Sequence, residues 1–107
     1  MTTFDKREEA FEKKFALDEE QKFRAIARRN RLLGLWVANQ LGLAGDAGND
    51  YAKTVVAAEF GEGGDDAVIE KISSDLAAKG AARSEDELNA KMNELMAEAV
   101  KQVKAGV

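Results

Sequence analysis

Proline is absent from all 107 residues, so nothing along this backbone forbids a helix, and the breaks between elements fall to glycine. Alanine is plentiful, and 45% hydrophobic residues stand beside 34% charged ones, a composition that favours a mostly helical soluble protein. A chain of this length makes one domain with a modest core and no room for a large enclosed active site.

The chain divides into four helical segments. Thr3 is placed to cap the first, where Phe4, Phe11 and Phe15 fall within about 40° of one another on one face. Asp18-Glu19-Glu20-Gln21-Lys22 then offers nothing apolar, yet Glu9 with Lys13, Asp18 with Lys22 and Glu20 with Arg24 keep acid four residues ahead of base, so the helix is expected to continue while its anchorage to a core lapses. From Phe23 the pattern broadens: Phe23, Ile26, Leu33, Trp36, Val37 and Leu41 predict the most buried helix of the protein, ended by Gly42 as a left-handed cap. A shorter helix begins near Asp46 or Asn49, carries Tyr51, Val55, Val56 and Phe60, and breaks at Gly61-Glu62-Gly63-Gly64. Asp65 is read as the cap of a third, built on Val68, Ile69, Ile72 and Leu76 and ending around Gly80. The fourth opens on a capping box, Ser84 with Glu87, and buries Leu88, Met92, Leu95, Ala99 and Val103 with Met96 beside them. Short polar connections favour an all-α architecture, a four-helix bundle of antiparallel neighbours.

The front of the chain does not fit a core. Ordering residues 1–18 costs about 1–2 kcal/mol of backbone entropy per residue, while burying three phenylalanines returns only about 1.5–3 kcal/mol each. Either the stripe docks on the rest of the bundle, or it frays when free and orders on a partner. The second reading is preferred, because Asp18 to Lys22 leaves no apolar continuity with the core and coupled folding suits a charged helix. The domains are accordingly read as a mobile N-terminal helical arm over 1–18 and a four-helix domain over 19–107.

Charge and composition exclude several classes of function. Residues 1–31 hold nine Lys/Arg and seven Asp/Glu, a net of 9 − 7 = +2; residues 32–107 hold seven and thirteen, a net of 7 − 13 = −6. A mildly basic front on an acidic body is not the footprint of a nucleic-acid binder and suits a protein surface better. With neither cysteine nor histidine, disulfides, thiol catalysis, the usual zinc ligands and the commonest general base are all missing. Cysteine usage fits an intracellular compartment. No apolar run nears the roughly 20 residues needed to span a bilayer, and Thr2-Thr3-Phe4-Asp5-Lys6 does not resemble a signal peptide.

Other constellations are weighed against ordinary structure. Gly61 to Gly64 follows a helix and lacks the Lys-Ser/Thr of a phosphate loop, so it reads as a turn. Asp46-Ala47-Gly48-Asn49-Asp50 has Ala57 where a calcium loop needs its bidentate Glu, which favours a helix cap. Glu59, Glu62, Asp65, Asp66 and Glu70 are read as a solvated helix terminus in preference to a shared-proton or divalent-ion site. Arg28, Arg29 and Arg31 form the densest basic patch, with Arg28 and Arg31 sharing a side of the helix and Arg29 facing away from it, a candidate for nucleotide phosphate or for docking an acidic subunit; the plainer alternative is a solvated face whose arginine stems cover apolar surface. Trp36 and Tyr51 offer rings to an adenine, but Trp36 between Leu33, Leu35 and Val37 reads as core.

Three blocks then carry a resemblance: Phe4-Asp5-Lys6-Arg7-Glu8-Glu9-Ala10-Phe11-Glu12-Lys13-Lys14-Phe15-Ala16, Asp18-Glu19-Glu20, and Ala27-Arg28-Arg29-Asn30-Arg31-Leu32-Leu33-Gly34-Leu35-Trp36. Together they resemble the zeta-subunit inhibitors of alphaproteobacterial F-type ATP synthases. The likeness runs on more loosely through Tyr51-Ala52-Lys53, Val55-Val56, Gly64-Asp65-Asp66 and Asp75-Leu76; the glycine-rich Gly61 to Gly64 departs from it. The resemblance implies an ATPase inhibitor and not an enzyme, whose arm enters the interface between the catalytic alpha and beta subunits and blocks rotation in the hydrolytic direction. It places Phe4, Phe11 and Phe15 as apolar anchors and Lys6, Arg7, Lys13 and Lys14 as charge partners. It further implies alpha, beta and rotor subunits as partners, no direct membrane insertion, and a cytoplasmic place beside the inner membrane. No cofactor is called for, although the family has been linked to adenine nucleotide; the alternative function is therefore a nucleotide-responsive sensor.

Overall fold

The computed structural model describes residues 15–106, and its four helices are α1 (Glu19–Gln40), α2 (Gly45–Ala58), α3 (Asp65–Ala78) and α4 (Glu85–Lys104). Among the described residues there is no strand. The expected arm helix from Thr3, with its Glu9–Lys13 pair, lies outside the described residues.

The first helix does not run continuously through Asp18. Ala16 takes a left-handed φ of +52°, a conformation that costs a non-glycine residue about 1 kcal/mol, and Asp18 in extended geometry becomes the N-cap of α1. Its carboxylate accepts from the Gln21 N–H at 2.7 Å, and the Gln21 side chain accepts from the Asp18 N–H at 3.3 Å, a complete capping box. The carboxylate is therefore spent on the helix end, and Lys22 pairs instead with Glu19 at 3.9 Å. Glu20 and Arg24 do pair as expected, at 2.6 Å. Nor does apolar contact lapse here. Phe15 and Leu17 pack, partly buried, on a cluster of Ala25, Met96 and Val100, joined by Ile26 and Val103, and Lys104 Nζ donates to the Phe15 carbonyl at 2.5 Å.

The main core joins all four helices: Leu33 and Val37 of α1, Val55 of α2, Val68, Ile69, Ile72 and Leu76 of α3, and Leu88 and Met92 of α4. Helix α1 packs chiefly against α2 and α4, with α3 closing the bundle beneath them. Trp36, Leu41, Tyr51 and Leu95 lean on the same core, half-buried. Gly42, at φ +77°, ends α1 as the sequence predicts, with Leu43 N–H reaching back to the Ala38 carbonyl at 2.8 Å.

Two expected caps are displaced. Helix α2 begins at Gly45 after Ala44, with no side-chain cap, so Asp46 sits inside the first turn, where its charge suits the dipole. Helix α3 is preceded by Gly64 at φ +51°; Asp65 is its first residue, and its carboxylate is turned inward to a different task. Gly61 to Gly64 is the interhelical turn that its composition predicts. Ser84 does cap α4, accepting from the Glu87 N–H at 3.1 Å, although Glu87 does not return a bond to the Ser84 backbone and reaches Arg83 instead. Ser84→Ala should therefore cost about 1 kcal/mol, read as a lower denaturant midpoint at unchanged slope. An unmoved midpoint would mean that the acidic first turn holds this end by itself.

Candidate functional site

The basic run Arg28 to Arg31 is split by its helix. Position 29 stands in an i+4 ladder with Ala25, Leu33 and Val37, all buried, so its side chain enters the bundle and is only 2% exposed. Arg29 Nη2 lies 2.6 Å from Asp65 Oδ1 and 2.7 Å from Glu59 Oε1, Nη1 reaches Asp65 Oδ2 at 3.2 Å, and Nε and Nη2 both donate to Asn30 Oδ1. Asn30 Nδ2 donates to Glu59 Oε1 at 3.0 Å. This clamp ties α1 to the end of α2 and the start of α3. It corrects two readings: Arg29 is no solvated or nucleotide-facing residue, and Glu59 and Asp65 are not a solvated terminus.

One guanidinium serves two carboxylates, Asp65 buried and Glu59 largely so, and this fixes the chemistry of the cluster. Glu59 Oε2 is buried with no donor opposite it. Burial, followed by its contact with Asp65, pushes the Glu59 carboxyl up to about 7; the bonds from Asn30 and Arg29 offset only part of this. Glu59 therefore takes up a proton more readily than an ordinary glutamate, which relieves its repulsion from Asp65. Because the folded pKa lies above the ordinary value of 4.5, the stabilisation is complete below about pH 4.5 and is lost as pH rises through about 7. The melting temperature should therefore fall between pH 5 and pH 8. Glu59→Gln should flatten that slope, in a window that no histidine confuses. A wild-type melting temperature constant across the window would mean that Glu59 is ionised throughout.

The other arginines remain at the surface. Arg28 donates to Gln102 at 3.3 Å, and Arg31 is exposed beside Asp46, Asn49 and Lys53. The three therefore do not converge on one ligand. Trp36 rests on the main core, with Arg83 and Lys91 at 5.8 and 5.3 Å from its ring centroid. The Tyr51 hydroxyl donates to Asp75 at 2.6 Å, and Lys71 lies 5.1 Å from the Tyr51 ring centroid and 3.0 Å from Asp75. Burial and Asp75 together hold the phenol far above its ordinary range. Burial alone would raise Asp75, but the bonds from Tyr51 and Lys71 outweigh it and draw the carboxyl down.

Of the partner-binding candidates, Phe4, Lys6, Arg7, Phe11, Lys13 and Lys14 lie outside the described residues, while Phe15 is half-buried against the Ala25, Met96 and Val100 cluster. Phe23 departs from its expected place in the core. It is 58% exposed and pairs with Phe60, itself 65% exposed, at 5.9 Å between centroids. Among the described residues no group of His, Cys, Asp or Glu is placed to hold a metal ion, and no helix is long and apolar enough to cross a membrane.

Four helices thus close on a salt-bridged interior, with Phe23 and Phe60 paired on the outside. The chain belongs to the family of ATPase inhibitor subunit zeta, whose model matches residues 1–102. It is also similar to a protein solved by solution NMR, with 46% sequence identity and a TM-score of 0.70 over 80% of this chain and 98% of that one. No curated protein matches it.

Proposed function

We infer that this protein restrains ATP hydrolysis by an F-type ATP synthase, with residues 1–18 as the arm that enters the alpha/beta catalytic interface and the bundle as its carrier. The observation that carries this reading is the family match, which starts at residue 1 and so takes in the arm as well as the bundle. Phe4 and Phe11 are the anchors in this reading, with Lys6, Arg7, Lys13 and Lys14 meeting partner carboxylates. Phe15 stands at the root, where its contact with the Ala25 cluster fixes the point from which the arm departs. Less supports the nucleotide-sensor alternative, since Arg29 is satisfied internally, lysines of the chain lie over the Trp36 and Tyr51 rings, and of the three arginines Arg28 and Arg31 alone border an open depression.

The deciding measurement is ATPase activity of a cognate synthase with the full chain and with a chain beginning at Phe15. That starting point retains Leu17 and the Asp18 cap, so melting should change little while inhibition disappears. Equal inhibition by the two chains would move the inhibitory element into the bundle.

A further inference from the structure

Phe23 and Phe60 are the exposed large hydrophobic residues among those described. From Phe23 a shallow depression follows the outer face of α1 past Ala27 and Val56, rimmed by Arg24, Arg28 and Arg31, while Phe60 borders the adjoining one, which Glu19, Lys22 and Glu59 also line. Glu20 answers Arg24, Arg28 has only the neutral Gln102, and Arg31 makes no ion pair or hydrogen bond among the described residues. The strip is thus apolar at its centre and positive along Arg28 and Arg31, with Asp46 and Asp50 beyond Arg31, on a chain whose residues 32–107 carry a net of 7 − 13 = −6. Aromatic and arginine side chains at one face are the residue types that interface hot spots favour.

We propose that the Phe23–Phe60 face is a second docking surface, seated on an acidic surface of the same synthase subunits that the arm engages. The inference rests on the inhibitor reading above. Position supports it: Phe23 follows the Asp18 cap by five residues, about 7 Å along the helix, so a partner gripping the arm up to its root lies beside this face. Charge supports it too, since Arg28 and Arg31 favour an acidic partner surface. Two contacts on one partner act through effective concentration, so loss of the face weakens inhibition without any change in the arm.

The test uses full-length protein, measuring both binding to and inhibition of the catalytic part of a cognate synthase, for wild type, Phe23→Ser with Phe60→Ser, Arg28→Glu with Arg31→Glu, and Phe4→Ser with Phe11→Ser. The aromatic face variant is expected to melt like wild type and to bind and inhibit about tenfold more weakly or worse. The charge reversal should weaken both in the same sense, and wild-type affinity should fall with added salt. Wild-type potency in the aromatic face variant, with the arm variant inactive, overturns this inference and leaves the arm reading standing. Absence of wild-type binding overturns both. Unchanged potency in the charge reversal removes the acidic partner surface. If the aromatic face variant inhibits more strongly, the face restrains the arm itself; if it dissociates a wild-type dimer in sedimentation, the occupant is a second copy. Either result also overturns the proposal.

Discussion

Arg29→Met should destabilise the protein by about 3–5 kcal/mol, which is much of the 5–15 kcal/mol that holds a typical domain folded. Methionine fills the space but leaves the Glu59 and Asp65 carboxylates facing each other with no cation, and leaves Asn30 Oδ1 without its two arginine donors. The fall in melting temperature should be on the order of 15–25 °C. It should shrink as pH is lowered, because protonating the acids removes the uncompensated charge. Arg29→Lys is expected to lie between, since one ammonium cannot replace a fork that reaches both Asp65 oxygens, Glu59 and Asn30 at once. Replacing Arg29, Glu59 and Asp65 together by apolar residues should recover most of the loss, because what is costly is the broken cluster and not its absence. A melting temperature unchanged in Arg29→Met would show that the cluster is open to water.

Which parts were legible in the sequence follows from what each residue type advertises. The apolar ladders of α3 and α4 read correctly because Val68, Ile72, Leu76, Leu88 and Met92 have no other use on a helix, and Gly42 read correctly because a left-handed cap is what glycine does best there. Arg29, set by the spacing on a different side from Arg28 and Arg31, was misjudged because a basic run was read as one solvated patch. The available signal was positional: it shares the i+4 ladder of Ala25, Leu33 and Val37, and two acids flanking the glycine turn supply the charge it needs. Phe23 failed in the opposite sense, since its type promised burial but α2 ends at Ala58, and among the described residues its ring pairs with Phe60, itself exposed. The break before α1 was hidden by acid–base spacing that fitted a continuous helix equally well, although Asp18 with Gln21 is a capping signature in its own right. The proposed inhibitory face rests on family resemblance alone, since Phe4, Phe11 and the lysines carry no spacing that names a partner.

Gly34→Ala should be the most disruptive change of a single methyl in the bundle. A helical glycine normally costs about 1 kcal/mol relative to alanine, so propensity alone predicts stabilisation. Packing predicts the reverse and is the larger effect. A Cβ built on Gly34 would sit 2.6 Å from Ala52 Cα, 3.1 Å from Ala52 Cβ and 3.2 Å from Val55 Cβ, and a backbone atom cannot step aside as a side-chain tip would. Helices α1 and α2 must therefore separate, with a net loss of about 2–3 kcal/mol expected after the propensity gain, since overpacking of this kind usually costs 1–3 kcal/mol and here the obstacle is backbone. Gly48→Ala is the control: its nearest neighbour would be the Leu43 carbonyl oxygen at 3.4 Å, so stability should stay level or rise slightly. The same separation would draw Glu59 away from Arg29, because those two residues face each other across the α1–α2 seam that Gly34 closes. Gly34→Ala should accordingly also flatten the decline in melting temperature between pH 5 and pH 8, as water reaching Glu59 relaxes its carboxyl toward the ordinary range. A Gly34→Ala chain as stable as wild type, with the pH slope intact, would mean that the helices re-space freely and that the close crossing is not what dries the cluster.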